Sequence, residues 1–457
     1  MKVDPRIPRL PLGLTLLTTL ALLLVPSLLL SRMPRPQAIG LEKLMANVSL
    51  LQSFRPTPER PVPQLWQDRL GADSATKLWR FQTRSWWQFW DDHSNGQPFL
   101  ALSSRGLPAA LFRTLPVPPI QVGDLVILSP DPLSRQVLID RLQPQVLRSK
   151  GLRQRCLPRL EQEQAVFWRP TGLGVLLGPL APLLQDFQEG CLSLSIEGQG
   201  LAWTGEAASV EGMVLQLPQG GFGTPNPPQL APLAKDVLLD VHGDSLDQLI
   251  SGLLARELIR QPLAERYGLG PEQLQLLRQT PFRLILRPRP DRAFQASLEL
   301  TVAVGNQQAP WQAGLQRLAD RLQKDGLSPS PLPSPSPLPS PSRAPSPKVP
   351  QPIQLWQRKD GVGLGGWIWH PGQRQLTLFL GPQPSQLNPL QAPAQGERGS
   401  LQLQARPRAL ADLGLLPPDL PEVVKRSSSL WVNARPFPGA GKAAPLSQLE
   451  GSLVLQP

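Results

Sequence analysis

The longest run of apolar residues lies at the N-terminus. Residues 10–30 read LPLGLTLLTTLALLLVPSLLL and contain no charged side chain. At about 1.5 Å of rise per residue, a helix of this length spans roughly 30 Å, which is the thickness of the hydrocarbon core of a bilayer. Lys2, Arg6 and Arg9 precede the run, and basic flanks stay on the cytoplasmic side. The pattern therefore predicts a cytoplasmic tail at 1–9 and a transmembrane anchor at 10–30.

A cleaved signal peptide is the main alternative for this run. The apolar core of such a peptide is usually about 7–15 residues long, and the run here is longer. No small-x-small cleavage site follows, because residues 28–32 read LLLSR. A buried core helix is a third alternative. We expect the uncleaved anchor, which makes the lipid bilayer the first predicted partner and places the rest of the chain outside the cytoplasm.

Between residues 36 and 327, short strand patterns alternate with helical patterns. A strand at 166–168 is followed by a helical pattern at 175–187 and by a hairpin whose turn is Glu197-Gly198-Gln199-Gly200. The same order recurs with a strand at 237–241, a helix that begins at Asp244 or Ser245 and continues to Leu258, a hairpin over 282–302 and a final helix at 311–322. Two blocks about 70 residues apart predict an α+β ectodomain of repeated β-α-β-β units, with a mainly antiparallel sheet and an internal duplication.

A segment rich in proline and serine, residues 328–352, separates this region from the C-terminal part. Alternating prolines fix φ and remove backbone donors, so we expect extended polyproline II backbone here. The segment is either a linker between two parts or a loop inserted into one fold. Residues 353–457 carry short strand patterns, and we expect them to be β-rich. Those patterns fall at 355–357, 366–369, 376–380, 401–404, 430–433 and 453–456, with a short helix near 409–415.

The most aromatic stretch of the chain is 74–92, which reads SATKLWRFQTRSWWQFWDD. With Asp73 as its N-cap, a single helix is predicted, whose polar residues fall within an arc of only about 80°. Such a helix packs into a core on most sides, lies in a membrane interface, or offers its rings to a sugar or another ligand. For an interface or a ligand, the candidate contact residues are Trp79, Trp86, Trp87 and Trp90.

The charge of the chain is basic but local. There are 46 Lys and Arg against 34 Asp and Glu, which gives +12. Part of the excess lies in 135–169, where eight basic residues face three acidic ones. We expect a solvated Arg-rich loop here; contact with anionic lipid headgroups is the alternative, with Arg153 and Arg155 as candidate contacts. Nucleic acid is not an expected partner, because no binding module is recognisable and the ectodomain is expected outside the cytoplasm.

The histidines and cysteines restrict the available chemistry. Three widely spaced histidines and two cysteines offer no metal-ligand spacing, so we expect neither a metal nor a cofactor. Cys156 and Cys191 can form one disulfide in an oxidising compartment. Two separate buried thiols are the alternative, because the sequence does not give their separation.

Two short motifs match enzyme signatures without the context that those signatures need. Gly361, Gly363 and Gly366 satisfy G-x-G-x-x-G, but a strand pattern follows where a dinucleotide site needs a helix. The segment is expected to be a Gly-rich hairpin. Ser74 and Lys77 have the S-x-x-K spacing of serine acyl-enzymes, but the other motifs of that class are missing. We therefore expect no catalytic residues.

The layout of the chain resembles that of an uncharacterised family of membrane-anchored, extracytoplasmic α+β proteins of photosynthetic bacteria. The features that carry the resemblance are the anchor, the strand pattern Val122–Leu128 leading into a helix over Pro132–Leu142, and the repeated strand–helix–hairpin order. The resemblance implies a location and an architecture. It implies no activity.

Together these patterns predict a single-pass protein with a non-catalytic ectodomain in the periplasm or in the lumen of an internal membrane. It would act as an assembly or binding factor for unknown protein partners. One alternative is an envelope enzyme that acts on a cell-wall or lipid substrate, and another is a module that binds lipid or pigment.

Overall fold

The structure is a computed structural model. It describes residues 36–91, 97–105, 115, 117–172, 187–210, 233–246, 261–262, 264–265, 270–278, 280–289, 294–330, 353–370, 374–384, 390, 400–416, 420, 422–436 and 446–455. The predicted tail and anchor lie outside these residues. Within the described part, no helix is both long enough and apolar enough to cross a membrane.

The N-terminal half of the described chain contributes eight strands and five helices. The strands are β1 Leu50–Phe54, β2 Trp86–Trp90, β3 Phe99–Ser103, β4 Ile120–Val122, β5 Leu125–Leu128, β6 Ala165–Trp168, β7 Glu189–Glu197 and β8 Gly200–Ala208. The helices are α1 Gly40–Asn47, α2 Gln64–Leu70, α3 Ala72–Arg80, α4 Pro132–Leu142 and α5 Leu152–Gln162. The strands pair in the order β4-β5-β3-β2-β1-β6-β7-β8.

The C-terminal half contributes ten strands and four helices among the described residues. The strands are β9 Leu239–Gly243, β10 Phe282–Pro288, β11 Ala296–Ala303, β12 Ser328–Ser330, β13 Ile353–Gln357, β14 Gly363–His370, β15 Gln375–Leu380, β16 Leu401–Ala405, β17 Ser427–Pro436 and β18 Leu446–Leu455. The helices are α6 Pro271–Arg278, α7 Gln308–Lys324, α8 Pro407–Asp412 and α9 Glu422–Lys425. The strands pair in the order β18-β17-β16-β9-β10-β11-β15-β14-β13-β12.

All 18 strands belong to one sheet, and the two halves meet where β8 pairs with β18. Every pairing between named strands is antiparallel. The prediction of an α+β fold with a mainly antiparallel sheet is confirmed at this level.

The same pairing pattern occurs in both halves. Strands β1, β2 and β3 are joined as β9, β10 and β11 are. The next pair, β5 with β4, corresponds to β15 with β14. On the other side, β6, β7 and β8 correspond to β16, β17 and β18. The sequence pattern instead matched β6–β8 with β9–β11, because both are three-stranded meanders. The helices predicted at 175–187 and 246–258 fall almost entirely outside the described residues.

The segment rich in proline and serine begins inside the sheet. Its first three residues form β12, and Ser328 to Ser330 pair with Gln357 to Leu355 of β13. The regions on either side of the segment also share the sheet, through β11 with β15 and β8 with β18. Both flanks therefore belong to one fold, which is the arrangement of an inserted loop. Residues 331–352 themselves lie outside the described residues.

The two faces of the sheet are covered differently. In the first half, α1, α4 and α5 pack on the side that carries Leu51, Phe89 and Phe167, which we call face A. Helices α2 and α3 pack on the opposite side, face B, against Trp86 and Leu100. Following the register across the sheet, the apolar side chains that meet α6, α7 and α8 in the second half also belong to face B. Face A is therefore largely apolar under α1, α4 and α5 and carries more polar side chains from β7 onward.

The single helix predicted over 74–92 is wrong. Helix α3 ends at Arg80, where the amide of Phe81 donates to the carbonyl of Leu78. After a short loop, Trp86–Trp90 forms the strand β2 between β1 and β3. Its residues alternate between the two faces of the sheet, which suits aromatic side chains with a high β propensity. The helix was predicted because a helical period was applied to these residues. The neighbouring strands that make the segment a β-strand lie elsewhere in the sequence and could not be recognised from it.

The segment Val122–Leu128, which was predicted as one strand pattern, forms two strands. Gly123 has φ +60° and turns the chain between β4 and β5, which pair with each other. A Cβ on Gly123 would lie 2.9 Å from the backbone nitrogen of Gly40, so glycine is needed both for the conformation and for the close approach of α1. The following helix spans Pro132–Leu142 as predicted, capped by the Asp131 side chain.

Candidate functional site

A cluster of charged residues lies on face A where α5 crosses β7 and β8. Arg153 contacts Glu189 at 2.5 Å, and Arg155 contacts Glu206 at 2.5 Å. Arg159 is one turn further along α5 and lies 3.7 Å from the Glu206 carboxylate. Both glutamate side chains have no solvent exposure, whereas the three arginines are about one-fifth exposed, at 19%, 25% and 17%. We call these five residues the α5 charge cluster.

A disulfide joins the same two elements. Cys156 of α5 is bonded to Cys191 of β7, with 5.8 Å between their Cα atoms. Cys191 pairs directly with Glu206 across the β7–β8 hairpin. The structure therefore brings together four of the residues singled out from the sequence, Arg153, Arg155, Cys156 and Cys191. Of the two alternatives left open for the cysteines, the disulfide is the one observed.

Sequence reasoning missed Glu189 and Glu206, although a signal for one of them was present. The turn at Glu197-Gly198-Gln199-Gly200 was predicted, and a tight turn fixes the register of the strands on either side. Counting back and forward from that turn places Cys191 opposite Glu206. The ion pairs with α5 depend on how the helix packs, and the sequence carries no comparable signal for that.

The electrostatics of the cluster reflect a competition. Burial raises the pKa of Glu206 above its ordinary value, while the positive charges of Arg155 and Arg159 act to lower it. Desolvation is the larger effect. The arginines named as candidate lipid contacts, Arg153 and Arg155, are thus engaged with buried carboxylates of their own chain. The arrangement holds α5 on the sheet through three ion pairs and one disulfide bond.

The predicted aromatic contact residues are largely interior. Trp79 and Trp86 join Trp66 in a group of edge-to-face rings on face B, with centroids 5.0 to 6.1 Å apart. Trp87 faces the other way, and its indole nitrogen donates to the carbonyl of Leu160 in α5 at 2.8 Å. The exposed fractions of Trp79, Trp86 and Trp87 are 2%, 3% and 6%. Trp90 is half-buried and packs against the apolar cluster around Leu50.

A continuous row of polar side chains begins on face A at β7 and β8 and continues across the second half of the sheet; we call it the polar row. Each member pairs in register with the next, across nine neighbouring strands from β7 to β15. The row consists of Ser193, Thr204, Glu450, Asn433, Gln402, His242, Arg283, Thr301 and Thr377. Because cross-strand neighbours on one face lie side by side, these groups can hydrogen-bond along the row.

Hydrogen bonds and ion pairs connect the polar row to its neighbours. Asn433 donates a hydrogen bond to Glu450 at 2.6 Å. Arg283 donates two hydrogen bonds, of 3.1 and 2.7 Å, to the Asp240 carboxylate. This contact raises the pKa of Arg283. The hydroxyls of Thr301 and Thr377 are 2.9 Å apart.

Two titratable groups flank the far end of the row. The Nε2 atom of His370 lies 2.8 Å from the Thr377 hydroxyl, and burial lowers the pKa of this histidine. Glu299 bonds Arg287 at 3.1 Å. Burial raises the pKa of Glu299, although the charge of Arg287 acts in the opposite direction. Three members of the row, Asn433, Thr301 and Thr377, are buried. The accessible part of the row therefore lies around Gln402, His242 and Arg283.

The enzyme-like motifs adopt ordinary structure. Gly361 lies in a turn with φ +81°, and Gly363 and Gly366 belong to the strand β14, so the Gly-rich hairpin prediction is confirmed. Ser74 and Lys77 lie on the helix α3. Among the described residues, no group of three His, Cys, Asp or Glu side chains is placed to hold a metal ion.

No family model, no curated protein and no solved structure matches the chain.

Proposed function

We propose that the protein is an extracytoplasmic binding or assembly factor, tethered to a membrane by residues 10–30. The observation that carries the location is the disulfide between Cys156 and Cys191. Such bonds form and persist in oxidising compartments and are rare in the cytosol. Both cysteines are buried, at 0% and 1% exposure, so this bond is part of the core of the fold. It supports an ectodomain that folds in a periplasm or lumen.

The pairing of buried charges supports binding rather than catalysis. A catalytic acid or base needs a carboxylate or imidazole that can reach a substrate and exchange a proton. Four carboxylates of face A are engaged instead with arginines: Glu189, Glu206, Asp240 and Glu299. The half-exposed centre of the polar row, around Gln402 and Arg283, is the surface that we assign to a protein partner.

Proximity labelling from the C-terminus of the full chain tests this proposal. The enzyme tag should label membrane and extracytoplasmic proteins, and the same fusion without residues 10–30 should lose that pattern. Double replacement of Gln402 and Arg283 by Ala should weaken the labelling of specific partners, whereas Glu422→Ala on the surface of α9 should not. Labelling of cytoplasmic proteins alone would contradict both the location and the function.

A further inference from the structure

Exposed apolar and basic side chains gather where the described chain begins. Ile39 is 71% exposed and Leu147 is 54% exposed, and both are large apolar residues that usually lie inside. Arg148 and Lys150 follow Leu147 and are also exposed. We call Ile39, Leu147, Arg148 and Lys150 the junction patch.

Backbone hydrogen bonds hold the two parts of the junction patch together. Gln37 and Leu147 pair in an isolated antiparallel bridge. The amide of Ala38 donates to the carbonyl of Val146 at 2.8 Å, and the amide of Arg148 donates to the carbonyl of Pro36 at 3.1 Å. Ile39 continues in extended backbone, with φ −129° and ψ 159°. Ala38 is buried, so the alternation of extended backbone turns Gln37 and Ile39 outward on the side of Leu147.

The position of the junction patch along the chain limits its distance from the predicted anchor. Residues 31–35 are all that separates the end of the apolar run from Pro36. A fully extended chain spans about 3.5 Å per residue, so Pro36 lies within roughly 20 Å of the membrane surface. Because Leu147 is bridged to Gln37, it lies at a similar distance from the membrane surface. A surface this close to a bilayer meets lipid headgroups before it meets any other large partner.

We infer that the junction patch docks onto the anionic surface of the bilayer that holds the chain's own anchor. This inference depends on the proposed tether. Ile39 and Leu147 insert at the boundary between headgroups and acyl chains, and Arg148 and Lys150 attract anionic headgroups. Arg32 and Arg35 in the connecting sequence add to the basic charge.

The neighbouring charges fit this assignment. Two carboxylates lie nearby. Glu42 accepts a hydrogen bond from the amide of Ser149 at 2.5 Å and so is turned into the loop, and Asp124 lies beside Gly40. Arg153 and Arg155, the candidate lipid contacts named from the sequence, are bound to Glu189 and Glu206 instead. The proposed lipid contact therefore lies a few residues closer to the N-terminus of the basic segment than the candidates named from the sequence.

The test uses the full chain reconstituted into vesicles, with an environment-sensitive fluorophore on a single introduced cysteine, Leu147→Cys. The matched control is Leu380→Cys, which replaces a leucine of similar exposure, 59%, in the other half of the sheet. The native disulfide is buried and stays intact without reductant. Vesicles contain either phosphatidylcholine alone or equal parts of phosphatidylcholine and phosphatidylglycerol, with or without brominated lipid as a quencher. Flotation of the vesicles is measured on the same samples.

With phosphatidylglycerol present, the fluorophore at 147 should shift to the blue and be quenched by brominated lipid, and the fluorophore at 380 should not. Replacing Arg148 and Lys150 by Gln should lower the ratio of docked to undocked protein by about fivefold for each residue. Protein that floats with the vesicles but shows no quenching at 147 would overturn the docking inference and leave the tether intact. A blue shift that brominated lipid does not quench would overturn it as well, in favour of a protein contact. Failure to float would remove the tether itself and the inference with it.

Discussion

Several polar side chains on face A are buried, and we expect their replacement to change the stability of the protein. Glu189 has no solvent exposure and is held by Arg153 at 2.5 Å. A pair of this kind gains little over apolar packing, because both charges lose hydration. Breaking such a pair is costly, because the remaining charge loses a close partner in a place where water replaces it poorly.

The Glu189–Arg153 pair gives a direct mutational test. Glu189→Gln should lower the free energy of unfolding by about 3 kcal/mol, because Arg153 keeps its charge while the carboxylate that contacts it at 2.5 Å loses its own. Urea denaturation of the variant and the parent at neutral pH measures the difference. Glu422→Gln on α9 is the control, because the Glu422–Lys425 pair lies on the surface, where solvent screens ion pairs and their loss has little effect on stability. Equal losses in the two variants would show that burial is not the cause.

His370 should make stability depend on pH. Burial lowers its pKa from 6.5, so as the pH falls below this value the unfolded chain takes up a proton before the folded protein does. The stabilising contribution is therefore present above pH 6.5 and is lost as the pH falls through the lowered pKa of the folded state.

We expect His370→Gln to lower the free energy of unfolding by about 1 kcal/mol at pH 7.5, through the lost contact with Thr377. The difference between variant and parent should shrink as the pH is lowered, because the parent loses this contribution. Denaturation curves of the variant and the parent at several pH values measure this difference. If the difference for His370→Gln grew on acidification, the direction of this pH dependence would be wrong.

At the scale of single elements, α5 is fixed to the sheet by the disulfide as well as by its ion pairs. The bond connects residues separated by 35 positions. In the chain-entropy account, closing a loop of this length restricts the unfolded chain and stabilises the fold by about 4 kcal/mol. The α5 charge cluster depends on the same position of the helix. Reduction of the disulfide should therefore weaken the ion pairs as well as remove the covalent bond.

Replacement of both cysteines by Ala should therefore lower the free energy of unfolding by about 4 kcal/mol. Reductant should destabilise the parent protein by a similar amount once it gains access, and it should leave the double variant unchanged. Urea denaturation with and without reductant compares the four samples. A double variant as stable as the parent would show that α5 does not need the bond.

The strand β14 gives a second test at this scale, through two glycines with different surroundings. A Cβ on Gly366 would lie 2.0 Å from the carbonyl oxygen of Gln354 on β13, whereas a Cβ on Gly363 meets nothing within 4 Å. We expect Gly366→Ala to cost at least about 1–3 kcal/mol by forcing the strands apart. Gly363→Ala should stay within about 0.5 kcal/mol of the parent. Thermal unfolding of both variants decides this, and similar effects would rule out the close approach.

Local patterns in the sequence predicted many elements but not their partners. Local sequence predicted three kinds of element: the helix Pro132–Leu142, the hairpin of β7 and β8, and the strands after residue 353. This was possible because capping, tight turns and alternation act within a few residues. The aromatic run 74–92 failed because β1 and β3, which make Trp86–Trp90 a strand, lie elsewhere in the sequence.

At the scale of the whole molecule, strand order makes one fold of the described parts. The last strand, β18, lies between β8 and β17 and joins the two halves of the sheet. The repeated pairing pattern could not be obtained from residue identity, because the matching strands share a topology and differ in length and side chains. The change of face A from apolar to polar is likewise a property of the assembled sheet, since each strand alone shows only its own alternation.

The whole molecule is proposed to fold outside the cytoplasm, and the thiol state of its two cysteines in the cell tests this most directly. Cells that express the full chain are quenched with acid, the protein is denatured, and free thiols are modified with a maleimide polymer that retards the band on a gel. Cys156 and Cys191 are the two cysteines of the chain. We predict no retardation unless the sample is first reduced, after which two polymer chains should attach. Attachment of two polymer chains without prior reduction would place the protein in a reducing compartment and contradict the account.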